Sequence, residues 1–320
     1  PMRILITGIS GFVGPYLAQY ISENVPEAQL WGMVWAADSA KVSSPVQQIE
    51  GDLTDISSLA AAINQVRPDI IFHLAAASSV ASSWDHPGRY LEINAVGTVN
   101  LLEVVRTLDL DTRVVVSSSA EVYGAVPSDQ QPITEASPME PLSPYAASKP
   151  AQDLLTAQYY HGYGLPTLRL RLFHHTGPRR PTQFVASSFA QQIARIERGL
   201  DPPRLDVGNL AAVRDFTDVR DIARAYWLAA VRGEPGAAYN VCSSRRTSIR
   251  RVLDMLLAQS EVEVEVEVDP ERLRAADIPC LVGDHSKFSS ATGWQPEIPL
   301  TETLGDLLKW WRKNIEQPPL

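Results

Sequence analysis

A tyrosine and a lysine four residues apart, Tyr145 and Lys149, are the residues in the sequence best spaced for chemistry. On a helix, positions i and i+4 share one face, so the ammonium would lie near the phenol oxygen. A neighbouring cation favours the phenolate and lowers the tyrosine pKa, which suits a general acid or base near neutral pH. Ser119 ends a run of three serines just after a predicted strand, and it could donate a hydrogen bond to the same substrate oxygen. These three residues predict proton transfer to or from a substrate oxygen.

Three glycines spaced three residues apart lie near the start of the sequence, between a predicted strand and a predicted helix. Such a turn needs residues that tolerate positive φ, and a pyrophosphate can approach the backbone closely only where no Cβ stands. The following helix N-terminus offers unpaired N–H groups to the phosphates. The spacing is one residue longer than the usual dinucleotide fingerprint. The turn therefore predicts a dinucleotide cofactor, and its residues are Gly8, Ser10, Gly11, Phe12, Val13 and Gly14.

The elements that must position these motifs follow from hydrophobic periodicity. Short apolar runs, typical of buried strands, alternate with longer runs whose apolar spacing near 3.6 is typical of helices. This alternation predicts an α/β fold, a doubly wound parallel sheet with helices on both faces. Strands are predicted over 3–7, 30–35, 46–51, 69–75, 113–117, 170–173 and 238–241, and helices over 13–24, 57–66, 90–108, 144–163 and 300–315.

The composition of the sequence changes after about residue 170, where prolines and arginines cluster. We expect residues 1–170 to form the cofactor domain, with its sheet completed by parts of 205–245. Residues 171–320 would form mainly a smaller lobe. The strict Glu/Val alternation over 261–268 predicts a half-buried strand with an acidic, solvated face.

Composition excludes several classes of function. The 320 residues are 45% hydrophobic and 20% charged, the ordinary balance of a globular chain. With 28 basic and 37 acidic residues the net charge is −9, which disfavours binding to long nucleic acid. No run reaches the roughly 18 apolar residues of a membrane span. Cys242 and Cys280 are the only cysteines, and the chain begins directly on a strand, so we expect no signal peptide and a cytoplasmic, metal-independent protein.

Together these motifs resemble the extended short-chain dehydrogenase/reductases that act on nucleotide sugars, whose dinucleotide-binding fold is of the Rossmann type. The resemblance covers essentially the whole chain. The motifs that carry it are the glycine turn, Asp52-Leu53, His73-Leu74-Ala75-Ala76, Asn94 with Gly97-Thr98, Ser119 with Tyr123-Gly124, and the Tyr145/Lys149 pair.

The resemblance implies a role for each motif. Asp52 and Leu53 would flank the adenine of NADPH or NADH, and Leu74, Ala75 and Ala76 would line the cofactor towards the ribose and nicotinamide. Tyr145 would be the acid/base, Lys149 would hold the nicotinamide ribose, and Ser119 would polarise the sugar carbonyl. Asn94 would help to hold this geometry.

The end of the second strand is where cofactor preference is often set. Users of NADP often place an arginine there and users of NAD an acidic residue. This chain has Trp35, which is assigned to the cofactor site but leaves both cofactors open, although Lys41 could assist a 2′-phosphate.

The C-terminal half is similar to the branch of the family that uses GDP-sugars, through the stretches 207–222 and 273–296. An arginine fork binds two oxygens at once, which suits a diphosphate, so Arg214 and Arg274 are candidate substrate contacts. Asn209 belongs to the same set. His174 stands where the family usually has asparagine, and a histidine could still form a hydrogen bond with the sugar nucleotide.

Two activities compete within that branch. The similarity favours reduction of the C4 keto group of a GDP-4-keto-6-deoxy-mannose, which gives GDP-rhamnose and needs no acid at C6, so that Ala120 is acceptable. Glu121 matches the base that dehydratases use at C5, so a GDP-mannose 4,6-dehydratase or a nucleotide-sugar 4-epimerase is the alternative. The family also implies a homodimer through a four-helix bundle built from helices 90–108 and 144–163.

Overall fold

The computed structural model describes residues 1–35, 46–273 and 277–315. Its strands are β1 (Arg3–Thr7), β2 (Gln29–Val34), β3 (Gln47–Glu50), β4 (Ile70–His73), β5 (Arg113–Ser119), β6 (Thr167–Leu172), β7 (His174–Thr176), β8 (Arg204–Val207), β9 (Val213–Arg214), β10 (Phe216–Asp218), β11 (Ala238–Val241), β12 (Thr247–Ser248), β13 (Glu265–Val268) and β14 (Cys280–Leu281). Its α-helices are α1 (Gly14–Asn24), α2 (Ile56–Val66), α3 (Val80–Ser83), α4 (Pro87–Leu91), α5 (Gly97–Thr107), α6 (Pro144–Tyr163), α7 (Val185–Glu197), α8 (Val219–Arg232), α9 (Ile249–Leu257), α10 (Ser286–Thr292) and α11 (Leu300–Lys313).

Seven strands form one sheet in the order β11-β6-β5-β4-β1-β2-β3, and every neighbouring pair is parallel. From β1 the chain moves outwards to β2 and β3, and then returns to β4 on the other side of β1. The strand order therefore reverses between β1 and β4, which is where a doubly wound sheet opens a crevice at its carboxyl edge. The predicted fold class is confirmed.

Alternation along β1 divides the interior between the two faces of the sheet, because successive side chains of a strand point to opposite sides. Ile4 and Ile6 pack with α1 and α8 on one face. Leu5 packs with α2 and α5 on the other. At the start of α2, Asp55 caps the helix by accepting hydrogen bonds from the backbone N–H groups of Ser57 and Ser58.

The C-terminal lobe has a hydrophobic core of its own, in which α7, α9 and α11 pack together with β8. Two later segments return to the sheet: α8 packs against it, and β11 pairs with β6 at its edge. The boundary expected at residue 170 falls inside β6, which runs on to Leu172. Strand β6 is thus followed after a single residue by β7, where the second part of the chain begins.

Two predicted elements differ from the structure. The helix expected over 90–108 contains a π-helical turn, Glu92–Val96, between α4 and α5. Within that turn Asn94 donates to Ser148 Oγ at 2.8 Å and accepts from the backbone N–H of Ala77 at 2.8 Å, contacts that periodicity does not encode. The strand expected over 261–268 is shorter, because only Glu265–Val268 pairs in parallel with β8.

Candidate active site

A cavity of about 630 Å³ opens at the carboxyl ends of β1, β4 and β5. It brings together side chains from the glycine turn, from the ends of these strands and from α6. The residues predicted for the site that line it are Gly8, Ser10, Gly11, Phe12, Val13, Gly14, Trp35, Asp52, Leu53, Leu74, Ala75, Ala76, Ser119, Tyr145 and Lys149. A volume of this size is typical of small-molecule and cofactor sites.

The glycine turn is shaped by two close backbone approaches. Gly8 has a φ of +69°, and a Cβ there would lie 2.7 Å from the backbone nitrogen of Ala75. At Gly14, where α1 begins, a Cβ would lie 2.6 Å from the carbonyl oxygen of Ile9. The N-cap of α1, Val13, supplies no side-chain hydrogen bond. The first N–H groups of α1 therefore remain for an anion, as the chemistry of a cofactor pyrophosphate requires.

At the far end of the cavity, Asp52 is held by its neighbours. It accepts hydrogen bonds from the backbone N–H and the hydroxyl of Thr54, both at 2.8 Å, and from Trp35 Nε1 at 3.1 Å. The bond from the Thr54 backbone is the main reason that the pKa of Asp52 is lowered. The Trp35 side chain, 53% exposed, thus lies beside this carboxylate at the cavity rim.

Tyr145 lies in the first turn of α6, which Ser143 caps by accepting from the backbone N–H of Ala146 at 3.0 Å. Burial raises the pKa of Tyr145 to about 12, against the opposing effects of a hydrogen bond with Ser119 and the charge of Arg180. The structure therefore keeps the phenol protonated, with Ser119 beside it.

The expected effect of Lys149 on Tyr145 is wrong for this structure. Lys149 Nζ donates to the carbonyl oxygen of Ser117 at 2.9 Å and to Gln152 Oε1 at 2.8 Å. Burial lowers the pKa of Lys149 to about 7, although the charge of Asp153 opposes that shift. The lysine therefore loses much of its charge near neutral pH, and the pKa of Tyr145 is raised instead of lowered.

Sequence reasoning missed a cluster that lines the cavity opposite α6. The Arg180 guanidinium lies between two rings, 4.6 Å from the centroid of Phe12 and 3.4 Å from that of Phe184. Burial lowers the pKa of Arg180 to about 9, although Tyr145 opposes the shift. The signal was present, because two arginines lie in a Pro/Gly-rich loop directly after β7. This cluster brings an arginine towards Tyr145.

Two consecutive histidines on β7 face different surroundings, because side chains alternate along a strand. His175 lines the cavity and stacks on Phe12 with ring centroids 6.0 Å apart. His174, the predicted substrate contact, packs edge-on against Phe216 and is absent from the described lining. Burial lowers the pKa of His175 to about 3, so His175 is neutral in the folded protein.

Two other predicted substrate residues, Asn209 and Arg214, are not among the described residues that line the cavity. Asn209 Nδ2 donates to Asp277 Oδ2, and Arg214 donates to Asp277 Oδ1, both at 2.8 Å. Glu121 is also absent from the described lining, but its charge raises the pKa of Tyr145. Arg274 and Lys41 lie outside the described residues.

Among the described residues, His, Cys, Asp and Glu form no group of three or more that could hold a metal ion. The helices in the described ranges include none with the length and apolar character needed to cross a membrane.

Comparisons with known proteins were consistent with one another. Residues 5–307 match the family model described as GDP-mannose 4,6 dehydratase. A GDP-6-deoxy-D-mannose reductase of Pseudomonas aeruginosa is 36% identical over 98% of this chain and 99% of its own length. A GDP-mannose 4,6-dehydratase of Yersinia enterocolitica is 30% identical over 96% and 92%.

Among solved structures, RMD from Pseudomonas aeruginosa complexed with NADPH superposes with a TM-score of 0.85, at 34% identity over 98% of this chain and all of that one. The UDP-glucose 4-epimerase of Thermotoga maritima with UDP-glucose gives a TM-score of 0.89 at 26% identity, over 98% of this chain and all of that one. These matches confirm the resemblance to nucleotide-sugar enzymes that the motifs indicated.

Proposed function

The chain belongs to the GDP-mannose 4,6-dehydratase family, and from that premise we propose that it reduces the C4 keto group of a GDP-4-keto-6-deoxy-mannose to give GDP-rhamnose. The observation that carries the proposal is its 36% identity, over nearly the full length of both chains, to a GDP-6-deoxy-D-mannose reductase. The cavity with Ser119, Tyr145 and Lys149 supplies the groups that such a reduction needs.

A nicotinamide cofactor fits the residues of the cavity. The turn at Gly8 and the uncapped N-terminus of α1 would hold the diphosphate, and Asp52 with Leu53 would flank the adenine. Ala75 and Ala76 would line the nicotinamide side, where Lys149 would hold the ribose hydroxyls. When bound, NADPH or NADH supplies the hydride. A relative solved with NADPH supports the phosphorylated cofactor.

The protein's own residues would move the proton and stabilise charge. Tyr145 is held as the neutral phenol, so it has the proton that the C4 oxygen must receive. The Ser119 hydroxyl beside it would donate a hydrogen bond to that oxygen. Lys149, which lines the same cavity, would favour transfer whenever it is charged, because a nearby cation stabilises the phenolate that remains. General acid catalysis of this kind typically contributes about 10²–10⁴-fold to the rate.

Ala120 favours reduction over dehydration. A 4,6-dehydratase must also protonate the hydroxyl that leaves C6, so it needs a polar side chain there. The Ala120 side chain is a methyl group, 1% exposed, which packs in a small hydrophobic cluster with Val122 and Ile133. Reduction at C4 needs no such group.

The dehydratase is the second candidate, because two observations favour it. Glu121 lies close enough to Tyr145 to raise its pKa, so a base is near the reacting groups. The family model and a 30% identical relative also carry the dehydratase name. A 4-epimerase on the same scaffold is supported by the fold similarity to the UDP-glucose 4-epimerase.

Two parallel incubations test the proposal. In the first, the protein is given NADPH and GDP-4-keto-6-deoxy-mannose, and NMR identifies the product; we expect GDP-rhamnose. In the second it is given GDP-mannose and NADP⁺; we expect no reaction. Formation of the 4-keto sugar in the second incubation would identify a dehydratase, and inactivity in both would contradict the proposal. Tyr145→Phe serves as the inactive control.

The substrate contacts form part of the same proposal. Arg214 and Arg274 would bind the diphosphate, and Asn209 and His174 would contact the nucleotide sugar. Arg214 binds one carboxylate oxygen, that of Asp277, and this supports the proposal only in that the guanidinium has an oxygen partner that an anion could replace. On binding, an oxygen of the diphosphate would take the place of Asp277 Oδ1 at the Arg214 guanidinium.

We further propose a homodimer formed through a four-helix bundle and located in the cytoplasm. Leu91 in α4 and Val96 in the π-helical turn are 46% and 52% exposed, and Leu154 in α6 is 60% exposed. A second copy of the chain would cover these apolar side chains. Leu154→Glu should then convert a dimer to a monomer in sedimentation velocity, and a monomeric wild type would contradict the dimer.

A further inference from the structure

Five buried side chains connect the glycine-turn strand to the catalytic lysine through the interior of the sheet. They belong to β1, β4, α5 and α6, and each is at most 2% exposed. We call them the polar chain, and its members are Thr7, His73, Thr98, Gln152 and Lys149. Buried polar groups are costly unless paired, so a fully paired set fixes the orientation of each member.

Thr98, in the middle of the polar chain, determines the direction of the hydrogen bonds. Its hydroxyl proton is donated to the carbonyl oxygen of Asn94 at 2.7 Å. The hydroxyl oxygen of Thr98, Oγ1, lies 2.9 Å from His73 Nε2 and accepts a hydrogen bond from Gln152 Nε2 at 2.8 Å. Since a hydroxyl has one proton, Thr98 can only accept from both neighbours. The Gln152 nitrogen is therefore committed to Thr98, and its oxygen must face the other way.

The other half of the polar chain fits the same assignment. With its proton on Nε2, His73 presents Nδ1 as an acceptor, 2.8 Å from the Thr7 hydroxyl. Thr7 Oγ1 in turn accepts from the backbone N–H of Ala75 at 3.2 Å. Burial and the charge of Lys149 lower the pKa of His73 to about 3, which agrees with a neutral ring. The orientation of Gln152 is thus tied to the backbone beside the glycine turn.

At the catalytic end, Lys149 meets two oxygens. Gln152 Oε1 and the carbonyl oxygen of Ser117 accept from Nζ at 2.8 and 2.9 Å. An ammonium has three N–H donors, so one is left for a ligand in the cavity that Lys149 lines. Both acceptors stabilise the charged form of the lysine against the effect of burial.

We propose that Gln152 is a positioning residue, which favours the charged form of Lys149 and directs one of its N–H groups into the cavity. Thr98 and His73 enforce this by fixing the Gln152 amide. The inference rests on the proposed function only in that Lys149 is taken as the cofactor-holding lysine.

Other ionisable groups also surround Lys149, and the test must hold them constant. Asp153, next to Gln152 on α6, favours the charged lysine but is itself paired with Arg171 on β6 at 2.9 Å. The groups that face this region from the packed elements are His73 of β4, Glu121 after β5, Tyr145 and Asp153 of α6, Arg169 and Arg171 of β6, Arg180 of the loop after β7 and Tyr226 of α8. Exchanging only the Gln152 side chain leaves all of them in place.

The experiment compares Gln152→Glu and Gln152→Met with wild type. NADPH affinity, followed by fluorescence, and kcat/KM for the 4-keto sugar are measured from pH 5.5 to 9.5. We expect NADPH affinity to fall at high pH as Lys149 loses its proton, and we call this part of the profile the alkaline limb. The midpoint of the alkaline limb should rise by about one pH unit in Gln152→Glu and fall by about one in Gln152→Met, because a carboxylate stabilises the ammonium and a thioether does not. Gln152→Met should recover affinity as the pH is lowered.

Two controls assign the effect. Gln158→Glu adds the same charge at an exposed position of α6 and should leave the alkaline limb within about 0.3 pH units of wild type, as screened surface charges do. Lys149→Met should abolish the limb, which identifies the titrating group.

The outcomes separate this inference from the proposed function. An unchanged limb in both Gln152 variants, or a shift in the same direction, overturns the inference. If Gln152→Met fails to fold, Thr98→Val replaces it: freeing the amide should lower the limb, and an unchanged limb overturns the inference. A wild type that binds NADPH but does not reduce the keto sugar fails only the proposed function, since the affinity titration still applies.

Discussion

The two regions that contain the predicted site residues differ in what their polar side chains bind. Around the sheet, Ser119, Tyr145 and Lys149 line the cavity and are held from behind by buried partners. In the C-terminal lobe, Asn209 and Arg214 are both bound to Asp277. The Tyr145 side is therefore held in place by the protein alone, whereas a ligand of Arg214 would have to displace a carboxylate already bound to it. The difference predicts that substitutions in the two regions will separate catalysis from substrate binding.

The largest effect is expected at the Tyr145 side. Tyr145→Phe removes the transferable proton and keeps the ring, so kcat should fall by about 10²–10⁴ while NADPH affinity is nearly unchanged. Steady-state kinetics and a fluorescence titration measure the two quantities. The matched control is Tyr163→Phe, an exposed tyrosine of the same helix, which should keep full activity. Activity of Tyr145→Phe within tenfold of wild type would show that Tyr145 is not the general acid.

Substitutions in the C-terminal lobe should change substrate binding and leave kcat almost unchanged. Arg214→Ala should weaken GDP-sugar binding by about 1.5–3 kcal/mol, the range for a charged hydrogen bond, and leave NADPH binding and kcat almost unchanged. Asp277→Asn removes the competing charge and should strengthen GDP-sugar binding. Calorimetry with GDP measures the affinity of each of the two variants for the nucleotide. If both variants instead lower the melting temperature and leave GDP affinity unaltered, the pair only holds the fold.

The Tyr145 side should be sensitive to acid. The folded-state pKa of His73 is about 3 and its unfolded value is near 6.5, so below pH 6.5 the unfolded state binds more protons. The contribution of His73 to the free energy of unfolding is therefore complete above pH 6.5 and is lost as the pH falls towards 3. At pH 5 the loss is about 2 kcal/mol. Urea unfolding at pH 7 and pH 5 measures the loss. His73→Asn should show a smaller loss than wild type, and His161→Gln, at an exposed position, the same loss.

The smallest effect is expected at Glu121, which follows β5 and whose charge acts on Tyr145. In a reductase it has no proton to abstract, so Glu121→Gln should slow reduction of the 4-keto sugar by less than about tenfold, near 1.4 kcal/mol. In a dehydratase the same change removes the base, and turnover of GDP-mannose should fall by about 10²–10⁴. A wild type that consumes GDP-mannose, with a Glu121→Gln variant that does not, would replace the reductase by the dehydratase.

The parts of the site that could be predicted from the sequence are those encoded by local spacing. The turn from Gly8 to Gly14 and the Tyr145/Lys149 pair need only a strand end or one helix face, and both line the cavity. The fold class could also be predicted, because strand–helix alternation leaves few parallel topologies.

What could not be predicted depends on contacts between distant residues. Asp277 is 63 positions from Arg214, and Gln152 is 54 from Thr98, so no local pattern announces either pair. Arg180 lies in a loop, and the rings that contact it depend on the path of that loop, which the sequence does not encode locally. The pKa of Tyr145 was expected to fall because charge was considered without burial, and burial is the larger effect.

The π-helical turn Glu92–Val96 changes the phase of the helix that contains it. One additional residue in a turn rotates everything downstream by about 100° relative to a regular α-helix. Arg89 and Ile93 line the cavity, whereas Leu101 and Leu102 further along fill the core beneath the sheet. Shortening the segment by one residue would restore a uniform helix. Either the residues before the turn would then leave the cavity, or Leu101 and Leu102 after it would leave the core. Single-residue deletions should therefore be far less tolerated here than substitutions.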